Sequence, residues 1–319
     1  MNTLDSIKEL KYKVAAFYNF LSIIDQEILM IKEELTKLAT NQEIKGTVLI
    51  ACEGVNGTVC GTEDAINLFI ERLLQLLKIP DINVKYSWTE KQAFRRFKAR
   101  KKKEIVTMGL KQINPSKSVG TYVKACKWNE FLEDPNTVVI DTRNDYEIKI
   151  GNFAGALNPH TSSFREFPAW VQKYLKPLIK ENPSLKIGMY CTGGIRCEKA
   201  TSYLIEEGFP DVHHLEGGIL KYLEDVSPEK SLWDGECFVF DQRVSLDHDL
   251  LPGSHRMCHA CGLPVSPEDL KKPTYIKGLQ CEGCVDKYSD SDRARFAERQ
   301  RQIDEIMKHL PENSIWPSL

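Results

Sequence analysis

A cysteine followed by two glycines and an arginine is the segment of this chain that most clearly suggests chemistry. Residues 186–190 read as an apolar strand, Cys191-Thr-Gly-Gly-Ile-Arg196 as a loop, and the residues from Cys197 onward as a helix. A helix N-terminus, inward-pointing backbone N–H groups and a permanent cation all lower the pKa of a thiol, which is about 8.5 when free. The pattern therefore predicts a reactive Cys191 thiolate with Arg196 beside it. The loop residues around it are Thr192, Gly193, Gly194 and Ile195.

A second cysteine, Cys197, falls in the first turn of the predicted helix. It is either an auxiliary thiol beside Cys191 or a small apolar residue that packs the helix onto its sheet. A position in the first turn does not by itself face the loop, so both interpretations stay open. The coincidence of strand, glycines, arginine and helix disfavours an inert, buried Cys191.

Four further cysteines have the spacing of a metal site. They form two Cys-x-x-Cys pairs separated by nineteen residues, namely Cys258, Cys261, Cys281 and Cys284. Four thiolates leave no coordination position for water, so the pattern predicts a structural zinc ion. The alternative is a set of four reduced cysteines without metal. His259 lies between the first two cysteines and is interpreted as a supporting group rather than a ligand.

The first third of the chain alternates between strand and helix patterns. Strands are predicted over residues 13–18, 46–51, 57–60 and 84–88, with helices after the first and third of them. Asn56-Gly57 is expected to form the turn between the second and third strands. The order βαββαβ predicts a ferredoxin-like, or acylphosphatase-like, domain over residues 1–108.

This domain ends in a strongly basic run, residues 91–103, with Phe94 and Phe97 among the cations. Cations neutralise RNA phosphates and aromatic rings stack on bases, so the run predicts a nucleic-acid-binding surface. A solvated helix face is the competing interpretation. The candidate residues are Arg95, Arg96, Lys98, Arg100, Lys101, Lys102 and Lys103.

The middle of the chain predicts a parallel α/β domain over residues 109–228. Its short apolar strands, residues 137–141, 186–190 and 212–215, are separated by helical stretches. The helix after Cys191 is expected to end at Gly208. Residues 229–319 then carry the four cysteines and a charged helix predicted from Arg293 to Leu310.

Composition limits the classes of protein that fit. The 319 residues include 43 Lys and Arg against 45 Asp and Glu, so net charge gives no sign of nucleic-acid binding. The N-terminus is polar and no apolar run approaches the roughly 18 residues of a membrane span. We therefore expect a cytoplasmic protein with no membrane partner, in which ten cysteines serve metal binding or catalysis rather than disulfides.

Strings in all three regions have a common resemblance. They are Gly54-Val-Asn-Gly-Thr58, Val139-Ile-Asp-Thr-Arg143, Gly155-Ala-Leu-Asn158, Met189 to Ala200, Leu215-Glu-Gly-Gly-Ile219 and Cys258-His-Ala-Cys261. Together they resemble the rhodanese-domain family of bacterial tRNA uridine 5-hydroxylases, over nearly the whole chain. The resemblance implies that Cys191 is the essential cysteine and that Asp141 and Arg143 belong to the structural first motif of the rhodanese domain. The six-residue loop from Cys191 to Arg196 also matches the rhodanese loop, one residue shorter than the related phosphatase loop.

The implied activity is an oxygen-dependent oxidation that makes 5-hydroxyuridine at the wobble position of tRNA. Molecular oxygen would be the co-substrate, the anticodon region of tRNA the partner, and the electron donor is not implied by the resemblance. We hypothesise that the Cys191 thiolate adds to C6 of uracil and that the resulting enolate reacts with oxygen at C5. Two alternatives are a sulfurtransferase that carries a persulfide on Cys191 and a non-catalytic RNA-binding scaffold.

Overall fold

The computed structural model describes residues 11–309. The polar N-terminal segment 1–10 and the predicted helix end at Leu310 lie outside the described residues. No helix within the described range is long and apolar enough to cross a bilayer.

A mixed sheet of four antiparallel strands and one parallel edge strand, with two helices on one face, forms the N-terminal domain. The elements are β1 (Tyr12–Phe20), α1 (Asp25–Asn41), β2 (Lys45–Ala51), β3 (Gly54–Gly61), α2 (Glu63–Leu77), β4 (Val84–Thr89) and β5 (Phe97–Lys101), with strand order β4-β1-β3-β2-β5. The predicted βαββαβ order is confirmed. The basic run contributes an additional edge strand, β5, parallel to β2, and not the helix of the competing interpretation.

Periodic apolar residues fix both helices to this sheet. Ile28, Ile31 and Leu35 of α1 recur at helical spacing and are buried against the sheet. Helix α2 begins where predicted, because the Thr62 hydroxyl accepts a hydrogen bond from the Ala65 N–H at 3.4 Å. The helices cover one face of the sheet, and the other face is left for the central domain.

The predicted Asn-Gly turn is wrong. Asn56 and Gly57 lie inside β3, where Gly57 is opposite Phe17 on β1 and Val48 on β2. The hairpin instead turns at residues 52–53, which connect the paired residues Ala51 and Gly54. The sheet requires the full length of β3 for its two neighbours, and this long-range pairing overrides the local turn propensity.

A four-stranded parallel sheet forms the centre of the molecule, with order β6-β10-β9-β7. Three strands were predicted, and the three-residue edge strand β6 was not. The elements of this region are β6 (Thr121–Val123), α3 (Ala125–Glu133), β7 (Thr137–Asp141), α4 (Asp145–Ile148), β8 (Gly151–Phe153), α5 (Phe167–Trp170), a π-helical turn (Val171–Leu175), α6 (Lys176–Glu181), β9 (Lys186–Tyr190), α7 (Ile195–Glu206), β10 (Val212–Leu215) and α8 (Gly218–Asp225). Gly208 follows α7 with φ +85°, as predicted for a helix C-terminus.

Short strand pairs and one long helix complete the described chain. They are β11 (Trp233–Gly235), β12 (Cys237–Phe238), β13 (Ser245–Leu246), β14 (Arg256–Met257), β15 (Pro264–Val265) and α9 (Asp290–Lys308). Strand β11 pairs with β8, so the segment after α8 packs back on the central domain. Helix α9 begins three residues before the predicted start at Arg293, as Ser289 accepts the Asp292 N–H at its N-terminus.

Candidate active site

Cys191 lies at the carboxyl end of β9, the edge of a parallel sheet at which ligands bind. The Gly194 N–H donates a hydrogen bond to Cys191 Sγ at 3.1 Å. Gly194 has φ +100° and directly precedes α7, so the positive end of this helix lies beside the sulfur. The Ile219 N–H donates a hydrogen bond to the Cys191 carbonyl oxygen at 2.9 Å, which fixes the start of the loop against α8. The predicted strand, loop and helix are therefore brought together around one thiol.

Charge and hydrogen bonding make this thiol acidic. Burial opposes ionisation, but a hydrogen bond from Cys197, the Arg196 charge and the N–H groups of Cys197 and Gly194 outweigh it and lower the Cys191 pKa. Burial and the neighbouring thiolate raise the Cys197 pKa. The stable arrangement of the pair is thus a Cys191 thiolate that accepts a hydrogen bond from the Cys197 thiol.

The Cys197 side chain has features of both interpretations drawn from the sequence. Its side chain is fully buried within the core that joins α7 to the central sheet. Its sulfur also lies 3.5 Å from the Thr142 hydroxyl and contacts Cys191. The structure therefore shows that Cys197 packs the helix and also lies beside Cys191, and its role as an auxiliary thiol stays a prediction.

Arg196 is held by a carboxylate that the sequence analysis missed. Its Nη1 and Nη2 atoms donate to the two oxygens of Glu147 at 2.6 and 2.8 Å, and Glu147 is fully buried. Burial opposes ionisation of Glu147, but Arg196 keeps the pKa of this carboxyl below its ordinary value. The only sequence signal was Asn144-x-x-Glu147, a capping box that marks the start of α4. The fork-to-fork pair fixes the guanidinium close to the Cys191 loop.

Asp141 and Arg143 form a second buried ion pair below the loop. Arg143 Nη2 donates to Asp141 Oδ2 at 2.6 Å and to the Gly151 carbonyl at 2.7 Å. Both side chains are essentially inaccessible to solvent. The pair connects β7 to β8, which is the structural role that the resemblance implies.

The helix-free face of the N-terminal sheet lies over the Cys191 loop, and the two line a cavity of about 450 Å³ that opens to solvent. Its volume falls in the range of small-molecule sites. Phe240, with 61% of its surface exposed, forms one wall, and the Arg196 guanidinium lies 5.9 Å from its ring centre. Polar or charged side chains of the cavity come from both domains and include Tyr18, Thr47, Asn56, Lys85, Cys191 and Arg196.

Two side chains of α7 join the domains on either side of this cavity. Glu198 accepts hydrogen bonds from the hydroxyls of Tyr18 at 2.8 Å and Tyr122 at 3.1 Å. Lys199, fully buried, donates to Glu53 at 2.9 Å and to Glu104 at 2.7 Å. The partners of each pair are at least 76 residues apart in the sequence, so no local pattern indicates these contacts.

The basic run divides into two faces because it is a strand. Strand β5 pairs with β2 so that Lys98 is opposite Thr47 and Lys101 opposite Ile50. Lys98 therefore shares the cavity face with Thr47, whereas Lys101 points to the helix side and pairs with Asp25 of α1 at 2.6 Å. Arg95, Arg96 and Lys98 line a second cavity of about 1010 Å³. Arg100, Lys102 and Lys103 are exposed.

This second cavity adjoins the first and has walls from three regions of the chain. The two cavities share Thr47, Phe94, Phe240 and Asp241. The remaining wall includes Tyr146 and residues of the four-cysteine region, defined here as residues 256–289, among them Arg256, His259 and Tyr275. A positively charged groove with aromatic side chains thus leads to the Cys191 cavity.

The four cysteine sulfurs predicted as ligands come together. All lie within 4.8 Å of one another, and three of the sulfur–sulfur distances are 3.9 Å (Cys258 to Cys284), 3.7 Å (Cys261 to Cys281) and 3.8 Å (Cys281 to Cys284). Four sulfurs around a tetrahedral zinc ion, with Zn–S bonds near 2.3 Å, are about 3.8 Å apart. The geometry and the donor set therefore fit a bound metal ion. His259 is not part of the cluster.

Comparisons with protein families assign the first two regions. Residues 12–105 match the model described as a UPF0176 acylphosphatase-like domain, and residues 127–225 match the rhodanese-like domain. Both matches agree with the observed sheets and confirm the predicted fold class. The predicted domain limits at residues 108 and 228 stay predictions.

Curated relatives match over almost the full chain. A tRNA uridine(34) hydroxylase of Prochlorococcus marinus (strain NATL1A) is 85% identical over 98% of this chain and 98% of its own. The protein of the same name from Prochlorococcus marinus (strain MIT 9303) is 57% identical over 92% of this chain and 94% of its own. One from Synechococcus sp. (strain CC9605) is 56% identical over 92% of this chain and 91% of its own.

Proposed function

Because the chain belongs to the tRNA uridine(34) hydroxylase family, we propose that Cys191 is the nucleophile with which this enzyme hydroxylates C5 of the wobble uridine, using molecular oxygen. The hydrogen-bonded thiolate that lines the cavity between the two domains is the observation that carries the proposal. A thiolate is a strong nucleophile at neutral pH, and the neighbouring N–H groups and the Arg196 cation favour this ionised form.

The reaction follows from addition of the thiolate to the uracil ring. The Cys191 sulfur bonds to C6, and the electron pair of the C5=C6 bond moves towards the C4 carbonyl to form an enolate. The enolate carbon C5 adds oxygen and, with one proton, becomes a hydroperoxide. Two thiols reduce this group to a hydroxyl and water while they are oxidised to a disulfide. Loss of the C5 proton and of the Cys191 thiolate then restores the double bond.

Isotope labelling of the purified enzyme tests this reaction. With tRNA, a thiol reductant and ¹⁸O₂, we expect 5-hydroxyuridine that carries one ¹⁸O atom, as measured by mass spectrometry of tRNA nucleosides. The same reaction without oxygen should give no product. Transfer of sulfur from thiosulfate with no oxygen-dependent product would instead identify the persulfide-carrying sulfurtransferase.

We propose that the anticodon loop of the tRNA binds at the second cavity. Its cations suit phosphates, and its aromatic side chains, Phe240 above all, suit bases that have left their stack. A wobble base directed past Phe240 would enter the cavity of Cys191, as enzymes that modify bases require. The anticodon region is thus the part of the tRNA that we propose contacts the protein.

Replacing Arg96 and Lys98 together by glutamine should weaken tRNA binding, because both line the groove. Two lost phosphate contacts should reduce the slope of log affinity against log salt concentration by about 1.4–1.8 units. Lys101 and Lys103 replaced by glutamine form the matched control, with the same loss of charge on residues outside the groove. Filter binding at several salt concentrations measures both variants, and equal effects would contradict this path for the RNA.

We also propose that the four cysteines bind a metal ion and that this ion is zinc. Thiolate ligands with tetrahedral spacing select zinc over the hard cations, which prefer oxygen. A metal ion with four protein ligands has no open coordination position, so such a site stabilises the fold and does not take part in catalysis. Here it would fix the wall of the groove formed by Arg256 and His259.

A further inference from the structure

A buried lysine without a hydrogen-bond partner faces the cavity above Cys191. Lys85 on β4 is only 6% exposed, and no side chain or backbone group within the described residues accepts a hydrogen bond from its Nζ atom. Lys199, the other fully buried lysine near the site, is compensated by Glu53 and Glu104. Because burying an ammonium that makes no hydrogen bond destabilises a fold, the presence of Lys85 here is not explained by stability.

Packing directs this lysine towards the Cys191 loop. Its Nζ atom lies 4.6 Å from the ring centre of Tyr18. A Cβ atom on Gly194 would come within 2.7 Å of the Tyr18 hydroxyl, and one on Gly217 within 3.7 Å of Lys85 Cε. Gly194 donates to the Cys191 sulfur, and Gly217 begins the turn that holds the Cys191 carbonyl. The Lys85 ammonium therefore projects into the space between the N-terminal sheet and the reactive loop.

We propose that Lys85 is a catalytic residue that binds the C4 carbonyl oxygen of the target pyrimidine and stabilises the negative charge placed there by Cys191. This inference rests on the proposed function. As the S–C6 bond forms, the C5=C6 electron pair shifts onto C5 and the carbonyl oxygen, and the ammonium donates a hydrogen bond to that oxygen. The proton stays on Lys85, so the step needs no co-reactant. The N-terminal domain thereby completes the active site.

The charges around Lys85 define its pH dependence. Burial lowers the pKa of Lys85 to about 8. The negative charges of Glu198, Cys191 and Glu216 raise this pKa and partly offset the effect of burial, whereas the positive charge of Lys221 lowers it slightly further. Tyr18 faces the ammonium through its ring and stays protonated because burial raises its pKa. Lys85 is therefore cationic below pH 8 and loses its charge above it. Turnover should decline as the pH rises through about 8.

Substitution of Lys85 by methionine separates a catalytic role from a structural one. We expect kcat of Lys85→Met to fall about 100-fold to 1000-fold with KM changed less than about threefold, because a charge-stabilising donor acts in the transition state. Its melting temperature should equal or exceed that of the wild type, since an unpaired buried charge is removed. Lys221→Met is the matched control and should keep its activity, because it removes a half-exposed cation of α8 that pairs with Glu224 and Asp225 and does not line the cavity.

A second measurement does not depend on tRNA. The pH dependence of Cys191 alkylation by iodoacetamide, followed by mass spectrometry, should shift upward by about half a unit or more in Lys85→Met. This shift is expected even if the enzyme makes no 5-hydroxyuridine, which would overturn the proposed function alone. A kcat within twofold of the wild type, a loss of activity that parallels a lowered melting temperature, or an unchanged alkylation profile would each overturn the role of Lys85.

Discussion

Cys191→Ser is expected to abolish wobble hydroxylation, with a loss of roughly a thousandfold or more, while the fold is kept. Serine is nearly isosteric with cysteine and still accepts the Gly194 hydrogen bond that the sulfur receives at 3.1 Å. Its hydroxyl has a pKa so far above neutrality that the same loop leaves it protonated. Mass spectrometry of tRNA nucleosides from a deletion strain that expresses the variant measures the loss.

Cys126→Ser is the matched control for this prediction. Cys126 is exposed on α3 and contributes nothing to the cavity, so this variant should restore the modification fully. Circular dichroism of both variants should match the wild type. Wobble hydroxylation by Cys191→Ser at the wild-type level would contradict a covalent mechanism at this residue.

Removal of the metal is expected to unfold the four-cysteine region. Among the described residues, the apolar core around the cysteines is small, with Val265 fully buried and Phe296 of α9 packed on Tyr288 at its edge. Such a core cannot compensate the conformational entropy of its loops, whereas zinc bound by four thiolates supplies on the order of 10 kcal/mol. Elemental analysis should find about one zinc ion per chain. Chelation should then raise amide hydrogen exchange in this region.

Cys281→Ser should reproduce the effect of chelation, and Cys52→Ser should not. Cys281 is one of the four clustered sulfurs, whereas Cys52 is an exposed cysteine of the N-terminal hairpin. The Cys281 variant should also bind tRNA more weakly, because the wall formed by Arg256 and His259 would lose its support. An ordered, metal-free region in the wild-type protein would contradict the assignment.

The sequence predicted the features that depend on neighbouring residues. The strand, loop and helix around Cys191 form one continuous segment, and each Cys-x-x-Cys pair lies within a single turn, so local spacing was sufficient. The amphipathic helices α1 and α2 were predicted for the same reason. Both patterns concern residues that stay close in space whatever the rest of the chain does.

Residues that meet only through tertiary packing were not predicted. Tyr18 and Lys85 approach Cys191 because the helix-free face of the N-terminal sheet lies over the loop at the carboxyl end of the central sheet, and nothing near them in sequence indicates this contact. Glu147 was hidden for a related reason, since its local pattern indicated a helix start and not a partner for Arg196. The error at Asn56-Gly57 shows the same limit, because strand pairing outweighed a local turn preference.

The buried contact of Lys199 with Glu53 and Glu104 limits recombination between homologous genes. A recombinant chain with its N-terminal domain from one homologue and its central domain from another would carry a stranded ammonium, or two stranded carboxylates, unless all three positions came from compatible parents. Breaking such a buried pair costs about 3–5 kcal/mol, a large part of the stability of a domain. Exchange of modules between relatives is therefore penalised at this junction. The two domains should evolve as a single unit.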